Sequence, residues 1–172
     1  MTLLSRQSTL APLCVALALV AMTVASGFAA PVNAQPQPAA PTGCTGPASQ
    51  TWLIVKVDGV RNGTGLIAVT LYPDSSSKFL AKHGSLYVGR VDARTGTNRV
   101  CIFVPKPAVY AVAVYHDENA NQSFNRTGMG LPAEGYGFSN NPSTIAGLPS
   151  FRSVRLNVPK PGLTTQVQLK YP

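Results

Sequence analysis

From residue 51 onward, apolar and polar side chains alternate with a period of two, the repeat of a strand with one buried and one wet face. The runs are short: 51–57 (TWLIVKV), 66–72 (LIAVTLY), 85–91 (SLYVGRV), 98–104 (NRVCIFV), 108–116 (AVYAVAVYH), 151–158 (FRSVRLNV) and 164–171 (TTQVQLKY). Turn chemistry separates them. DGVRNGTG, DARTGT, PKP and PKPG bring residues that accept positive φ or cannot donate to a ladder. The last two runs alternate most cleanly. Val154, Leu156 and Val158 oppose Ser153, Arg155 and Asn157, while Thr165, Val167, Leu169 and Tyr171 oppose Thr164, Gln166, Gln168 and Lys170. That half-buried pattern belongs to antiparallel sheet. The 108–116 run is the most apolar and is expected at the centre of a sheet. Residues 73–84 (PDSSSKFLAKHG) read instead as a loop with one short helical segment near 76–82, its apolar face made by Phe79 and Leu80. The whole pattern predicts an all-β fold, an antiparallel two-sheet β-sandwich of about seven strands. It lacks the strand–helix rhythm of a parallel sheet and shows no internal repeat. Trp52 stands near the start of the domain, in the first expected strand, which argues against an antibody-type domain.

The chain ahead of the strands has a different composition. Residues 1–34 read as a secretory signal peptide: a basic start at Arg6, the apolar run APLCVALALVAMTVA, then small residues ending in VNA. The apolar run is shorter than a spanning helix requires, and no later run is long and apolar enough to cross a membrane. Residues 35–46 (QPQPAAPTGCTG) read as a flexible Pro/Ala/Gln-rich lead-in. Residues 47–172 remain for the β-sandwich domain, enough for a core of its own. Cys14 lies in the signal. Cys44 and Cys101 are then an even pair in an exported chain, and a disulfide between them is expected. Cys44 follows Pro-Thr-Gly far from the apolar core, which argues against a lipid attachment site. No pattern of His or Asp beside either Cys suggests a catalytic thiol. The expected location is periplasmic or secreted.

The 172 residues carry a formal net charge of +8; without residues 1–34 one basic residue, Arg6, is lost and +7 remains. The Lys and Arg are scattered, with no basic block or basic helix. This suits a soluble surface with at most a weak attraction to anionic envelope components. Nucleic acid is not an expected partner of an exported chain with no binding motif.

Candidate chemistry gathers in one stretch, YHDENANQSFNRTGMGLPAEGYGFSNN, residues 115–141. It starts where the most apolar strand ends, and such strand ends carry loops that bind. Asp117, Asn119, Asn121, Ser123 and Asn125 are spaced by two, as in the start of a calcium loop, with Glu134 able to reach in. The match is partial: Gln122 stands at the place of the sharp-turn Gly, and Gly128 at the place of the closing Glu. The competing reading is structural. Asx side chains hydrogen-bond nearby backbone and tolerate left-handed conformations, so they can satisfy the loop itself. Catalysis is the third reading. His116, Asp117 and Ser139 could be drawn as a triad, but neighbours on a strand point to opposite faces and Ser139 lacks a nucleophile-elbow motif. Glu118 and Glu134 would serve as a glycosidase pair only beside a sugar cleft. With His83 and His116 as the only histidines, a multi-histidine metal site is excluded.

These residues also resemble a bacterial family known as domain of unknown function 2141. The match rests on His116, Asp117, Glu118, Asn119 and Asn121, then Gly130 and Pro132, then Glu134, Gly135, Tyr136, Gly137, Phe138, Ser139, Asn140 and Asn141. It extends to VDGVRNGTGLIAVTLY and to Pro149–Phe151, nearly all of the chain after the lead-in. The resemblance implies a small exported β-sandwich of Gram-negative-type bacteria with no established activity. This chain departs from the family pattern, which has Gly at the places of Ala120 and Gln122 and Asp at that of Asn125. The last change lowers the charge available to a cation. The reading as a whole is a non-enzymatic binding or structural module of the envelope. The alternatives are a weak calcium-binding domain and a hydrolase using His116 and Glu134. No cofactor other than calcium is expected.

Overall fold

A computed structural model describes residues 38–172. The expected signal segment 1–34 and the first residues of the lead-in lie outside the described residues. The alternating runs form strands β1 (Thr51–Val60), β2 (Leu66–Pro73), β3 (Tyr87–Asp92), β4 (Gly96–Val104), β5 (Ala108–Asp117), β6 (Gly135–Phe138), β7 (Arg155–Val158) and β8 (Leu163–Gln168). A four-residue helix, α1 (Phe151–Val154), precedes β7. One sheet has the order β4-β1-β8, the other β3-β2-β5-β6, and β7 takes the same edge of β5 further along. The expected two-sheet β-sandwich is thus formed, with β5 in the interior of its sheet.

Three details differ from the expectation. β8 pairs with β1 in parallel, Leu53 opposite Leu163 through Asp58 opposite Gln168, whereas the ladders of β1–β4, β2–β3, β2–β5, β5–β6 and β5–β7 are antiparallel. Alternation is the same in both geometries, so it could not separate them. The 76–82 segment makes one turn and no helix. Lys78 and Phe79 donate to the Ser75 carbonyl, and Leu80 and His83 then take left-handed backbone with φ 57°. Phe79 packs inward but Leu80 stays exposed. The first half of the expected 151–158 strand is α1, whose Ser153 bonds back to the Ser150 carbonyl through both its amide and its hydroxyl.

The core lies between the sheets. Leu53, Val55 and Val57 of β1 and Val100, Ile102 and Val104 of β4 face Ile67, Val69 and Leu71 of β2 and Val112 and Val114 of β5. Each such side chain, fully buried, stabilises by about 1.5–3 kcal/mol. A second cluster covers the outer face of the β5 sheet, where Tyr72, Ala111, Ala113, Phe138 and Val154 pack with Phe79, Tyr136 and Phe151. The C-terminal segment then crosses between sheets. Leu169 N–H donates to the Asp58 carbonyl in one sheet, while Lys170 and Tyr136 exchange backbone bonds in the other. Gly137 allows this crossing, since a Cβ there would lie 2.6 Å from Val167 and 2.7 Å from the Gln168 carbonyl.

The end of the expected lead-in is held in place. Thr45 pairs in parallel with Ile102 along the outer edge of β4, and Cys44 is bonded to Cys101 with a Cα–Cα distance of 4.4 Å. This covers part of an edge strand that would otherwise present unpaired backbone. The bridge joins residues 57 positions apart. Closing such a loop stabilises by about 4 kcal/mol in the chain-entropy model. A Cys44→Ser/Cys101→Ser variant should lose up to that much in urea unfolding, and reductant should shift the oxidised protein alone. Equal stability of variant and oxidised wild type would show that the bridge contributes nothing.

Candidate functional site: the loop that leaves β5

His116 and Asp117 end β5, and both are fully buried. Their side chains leave the strand in opposite directions, as pleating requires. His116 Nε2–H donates to the Thr64 carbonyl at 2.8 Å, and Nδ1 accepts the Tyr171 hydroxyl at 2.7 Å. A carbonyl can only accept, which places a proton on Nε2. The Tyr171 oxygen in turn accepts the Arg61 N–H at 3.2 Å, and the Arg61 guanidinium lies 4.5 Å over its ring. One imidazole therefore joins the β1–β2 turn, the central strand and the C-terminus. Gly65 is obligatory in that turn: its φ is 76°, and a Cβ would stand 2.0 Å from the Asp117 carbonyl oxygen.

Asp117 organises the loop from the other side. Its Oδ1 accepts the Asn121 N–H at 3.0 Å and its Oδ2 the Gln122 N–H at 2.7 Å, while its carbonyl accepts the Ala120 N–H at 3.2 Å. The chain wraps around a buried carboxylate and fills both oxygens with backbone donors. The following polar residues repeat the device. Asn119 Oδ1 accepts the Asn121 N–H at 3.2 Å, Asn121 Oδ1 accepts the Ser123 N–H at 2.8 Å, and Asn121 Nδ2 donates to Asn125 Oδ1 at 2.9 Å. Glu134 Oε2 accepts the Asn125 N–H at 3.0 Å and so ties the loop's outgoing limb to its return.

The residues spaced for a calcium loop therefore gather around one loop, but N–H groups converge on their oxygens. Calcium needs six to eight oxygens on one ion. Among the described residues, no group of three or more His, Cys, Asp or Glu is placed to hold a metal ion. Glu118 turns away to the β1–β2 turn. Arg61 Nε and Nη2 bind its carboxylate in a fork at 2.8 and 2.5 Å, and Asn62 Nδ2 adds a third bond at 2.7 Å. Glu118 and Glu134 thus serve different partners.

Ser139 is not brought to His116. Its hydroxyl accepts the Val112 N–H at 3.1 Å and donates to the Val154 carbonyl at 2.5 Å. The next two residues act alike. Asn140 Nδ2 donates to the Ser153 and Arg155 carbonyls, and Asn141 accepts the Gln168 N–H and donates to the Gln166 carbonyl. Ser139, Asn140 and Asn141 thus clip β5, the α1–β7 segment and β8 around the end of β6. Between these ends, Gly130 has φ 79° in a tight hairpin closed by Thr127 and Leu131, and Pro132 is buried. Gly135 leaves room for the Tyr171 ring, which a Cβ would meet at 2.3 Å. Tyr136 and Phe138 send their rings to the outer-face cluster.

Sequence reasoning missed the partners from elsewhere: Arg61, Asn62, Thr64, Gly65 and Tyr171. The signal for the first four was the density of turn residues in RNGTG, beyond what a bare turn needs. Nothing in the local sequence points to Tyr171.

Ala120 and Gln122 have φ 54° and 63°, the left-handed region that costs a residue with a Cβ about 1–2 kcal/mol. These are the two places at which the family resemblance implies glycine. Ala120→Gly and Gln122→Gly should each raise stability by about 0.5–1 kcal/mol, the strain relieved less the added entropy of an unfolded glycine. Thermal midpoints would show it, and a fall in both would refute the strain.

Two carboxyls should give opposite pH signatures. Burial pushes Glu134 up, with the Asp117 and Glu118 charges adding and the Asn125 N–H opposing. Such a group contributes stability below its unfolded pKa and loses that contribution as the pH rises through its folded value. Glu118 is held low, chiefly by the Arg61 hydrogen bonds. It contributes above its unfolded pKa and loses that as the pH falls through its folded value. Relative to wild type, Glu134→Gln should therefore be more favourable at pH 7.5 than at pH 4, and Glu118→Gln less favourable. Urea unfolding at the two values checks both signs.

Searches of the curated proteins and of the solved structures find no match. A family of uncharacterized proteins conserved in bacteria, DUF2141, matches residues 55–166. That span runs from within β1 to within β8 and includes the whole of the loop tied by His116, Asp117 and Glu134; the chain belongs to the DUF2141 family.

Proposed function

We propose that this protein is an exported, non-enzymatic binding or structural module of the cell envelope, in which the loop after β5 is a self-tied scaffold. The observation that carries this is Asp117: both of its carboxylate oxygens are taken by backbone N–H groups of its own loop. The groups that could serve a reaction are spent in the same way. His116 and Ser139 are fully buried and hold separate segments together. Export is supported by the composition of residues 1–34 and by the Cys44–Cys101 disulfide, a bond suited to oxidising compartments. Arg90, Arg94 and Arg99 line one shallow cleft with Asp92, and among the described residues none of the three has an ion-pair partner. This favours a weak attraction to anionic envelope components.

Asp117→Ala should destabilise the fold by about 2–4 kcal/mol, the cost of losing two hydrogen bonds to a charged acceptor. The loss should be equal in chelator and in millimolar calcium. If calcium instead raises the wild-type midpoint strongly and the variant's not at all, the loop is a calcium site. Intact mass of the protein recovered from the periplasm or medium should lack residues 1–34. An uncleaved chain confined to the cytoplasm would end the export reading.

A further inference from the structure

The outer face of the β5 sheet carries a cleft of about 240 Å³. Its floor is small: Ala113 of β5 and Thr70 of β2. Around it runs a chain of ring contacts, Tyr72–Phe79–Phe138–Tyr136–Phe124–Tyr115, with successive centroids 5.3–6.3 Å apart. All but Phe79 line the cleft. All of these contacts are edge-to-face, an arrangement that aromatic quadrupoles prefer. A closed apolar cavity of about 150 Å³ holds a benzene ring. This open cleft has room for a bicyclic ring with a substituent.

Its polar groups are few and on one side of neutrality. Arg126 lies on the rim, with its guanidinium 5.0 Å from the Phe124 centroid. Its Nη1 donates to the Gly130 carbonyl, and it has no carboxylate partner among the described residues. No Asp or Glu lines the cleft. The hydroxyls of Thr70 and Tyr72 have no hydrogen-bond partner among the described residues, and neither is sealed from solvent. A ring would thus meet aromatic walls, and an acidic substituent would meet a guanidinium that has no carboxylate partner among the described residues.

We propose that this cleft binds a small planar aromatic acid, its ring between Tyr72, Tyr115, Phe124 and Tyr136 and its anionic group beside Arg126. The ring contributes stacking and apolar burial, and the Arg supplies a charge-assisted bond. The site deepens the binding-module reading and rests on it. It does not use Asp117, Glu134 or the Asn residues of the loop, although the same loop delivers Phe124 and Arg126.

The test titrates the ¹⁵N-labelled protein with 2-naphthoate, 2-naphthol and octanoate and follows backbone amide shifts. Naphthoate should saturate shifts at Ala113, Phe124 and Tyr136. Arg126→Gln should weaken naphthoate by about 10-fold, near 1.4 kcal/mol, and leave naphthol within about 2-fold. Ala113→Leu, which fills the floor, should abolish binding of both. Arg126 lies on an exposed loop, so its variant remains decisive if Ala113→Leu does not fold. No saturable shift by either naphthyl probe, shifts elsewhere on the surface, indifference to Arg126→Gln, or tighter binding of octanoate than naphthoate would each overturn the proposal. Those outcomes leave the export and calcium tests untouched, and conversion of a bound probe would overturn the non-enzymatic reading instead.

Discussion

The end of β5 depends on giving partners to two buried polar side chains. An imidazole and a carboxylate removed from water each cost several kcal/mol unless hydrogen bonds replace what water supplied. His116 and Asp117 are adjacent, point to opposite faces and find their partners in opposite ways. Asp117 takes them locally, from the amides of Asn121 and Gln122. His116 takes them from Thr64 and Tyr171, 52 and 55 positions away along the chain. The local solution orders the loop, and the distant solution locks that loop to a turn and to the C-terminus. Either side chain without its partners would leave a stranded polar group in the interior.

From this junction the order spreads outward. The loop runs through Asn125 to Glu134, and β6 follows at once along β5. Small residues then decide how closely strands approach. Gly135 and Gly137 accept the tail of β8 and Tyr171 where any Cβ would collide. Ser139, Asn140 and Asn141 close the arrangement by giving side-chain partners to backbone groups of three further segments. The same geometry sends Phe124, Tyr136 and Phe138 to the outer face, where Ala113 leaves the floor low. A loop that looks chemical by composition thus acts as a frame, and the space it frames is lined by rings.

Two residues show where this chain bears strain. Ala120 and Gln122 hold left-handed backbone because the amides around Asp117 must turn inward there. The hydrogen bonds to a buried charge, worth about 1.5–3 kcal/mol each, outweigh the conformational cost. The loop therefore keeps its shape without glycine at either place.

Much of the fold was legible from alternation alone. β1, β2, β4 and β5 fall within a few residues of their expected spans, because a strand buried on one face must repeat every second residue. The disulfide and the self-bonding character of the Asx residues were also legible, since an even pair of cysteines and local turn chemistry constrain them directly. β6 was not: it has four residues, two of them glycine, and it is a strand only because β5 lies beside it. The parallel pairing of β8 with β1 was hidden, since alternation records which face is buried and not the direction of the neighbour. The helical turn at Phe151–Val154 was hidden too, because Val154 is buried either way. The spacing of Asp117, Asn119 and Asn121 brought their oxygens to one loop, and the path of the chain turns backbone amides toward them. Sequence by itself determined which groups must be buried or paired. Tertiary structure decided with whom, because partners for a buried group come from whatever the fold brings within about 3 Å, however distant along the chain.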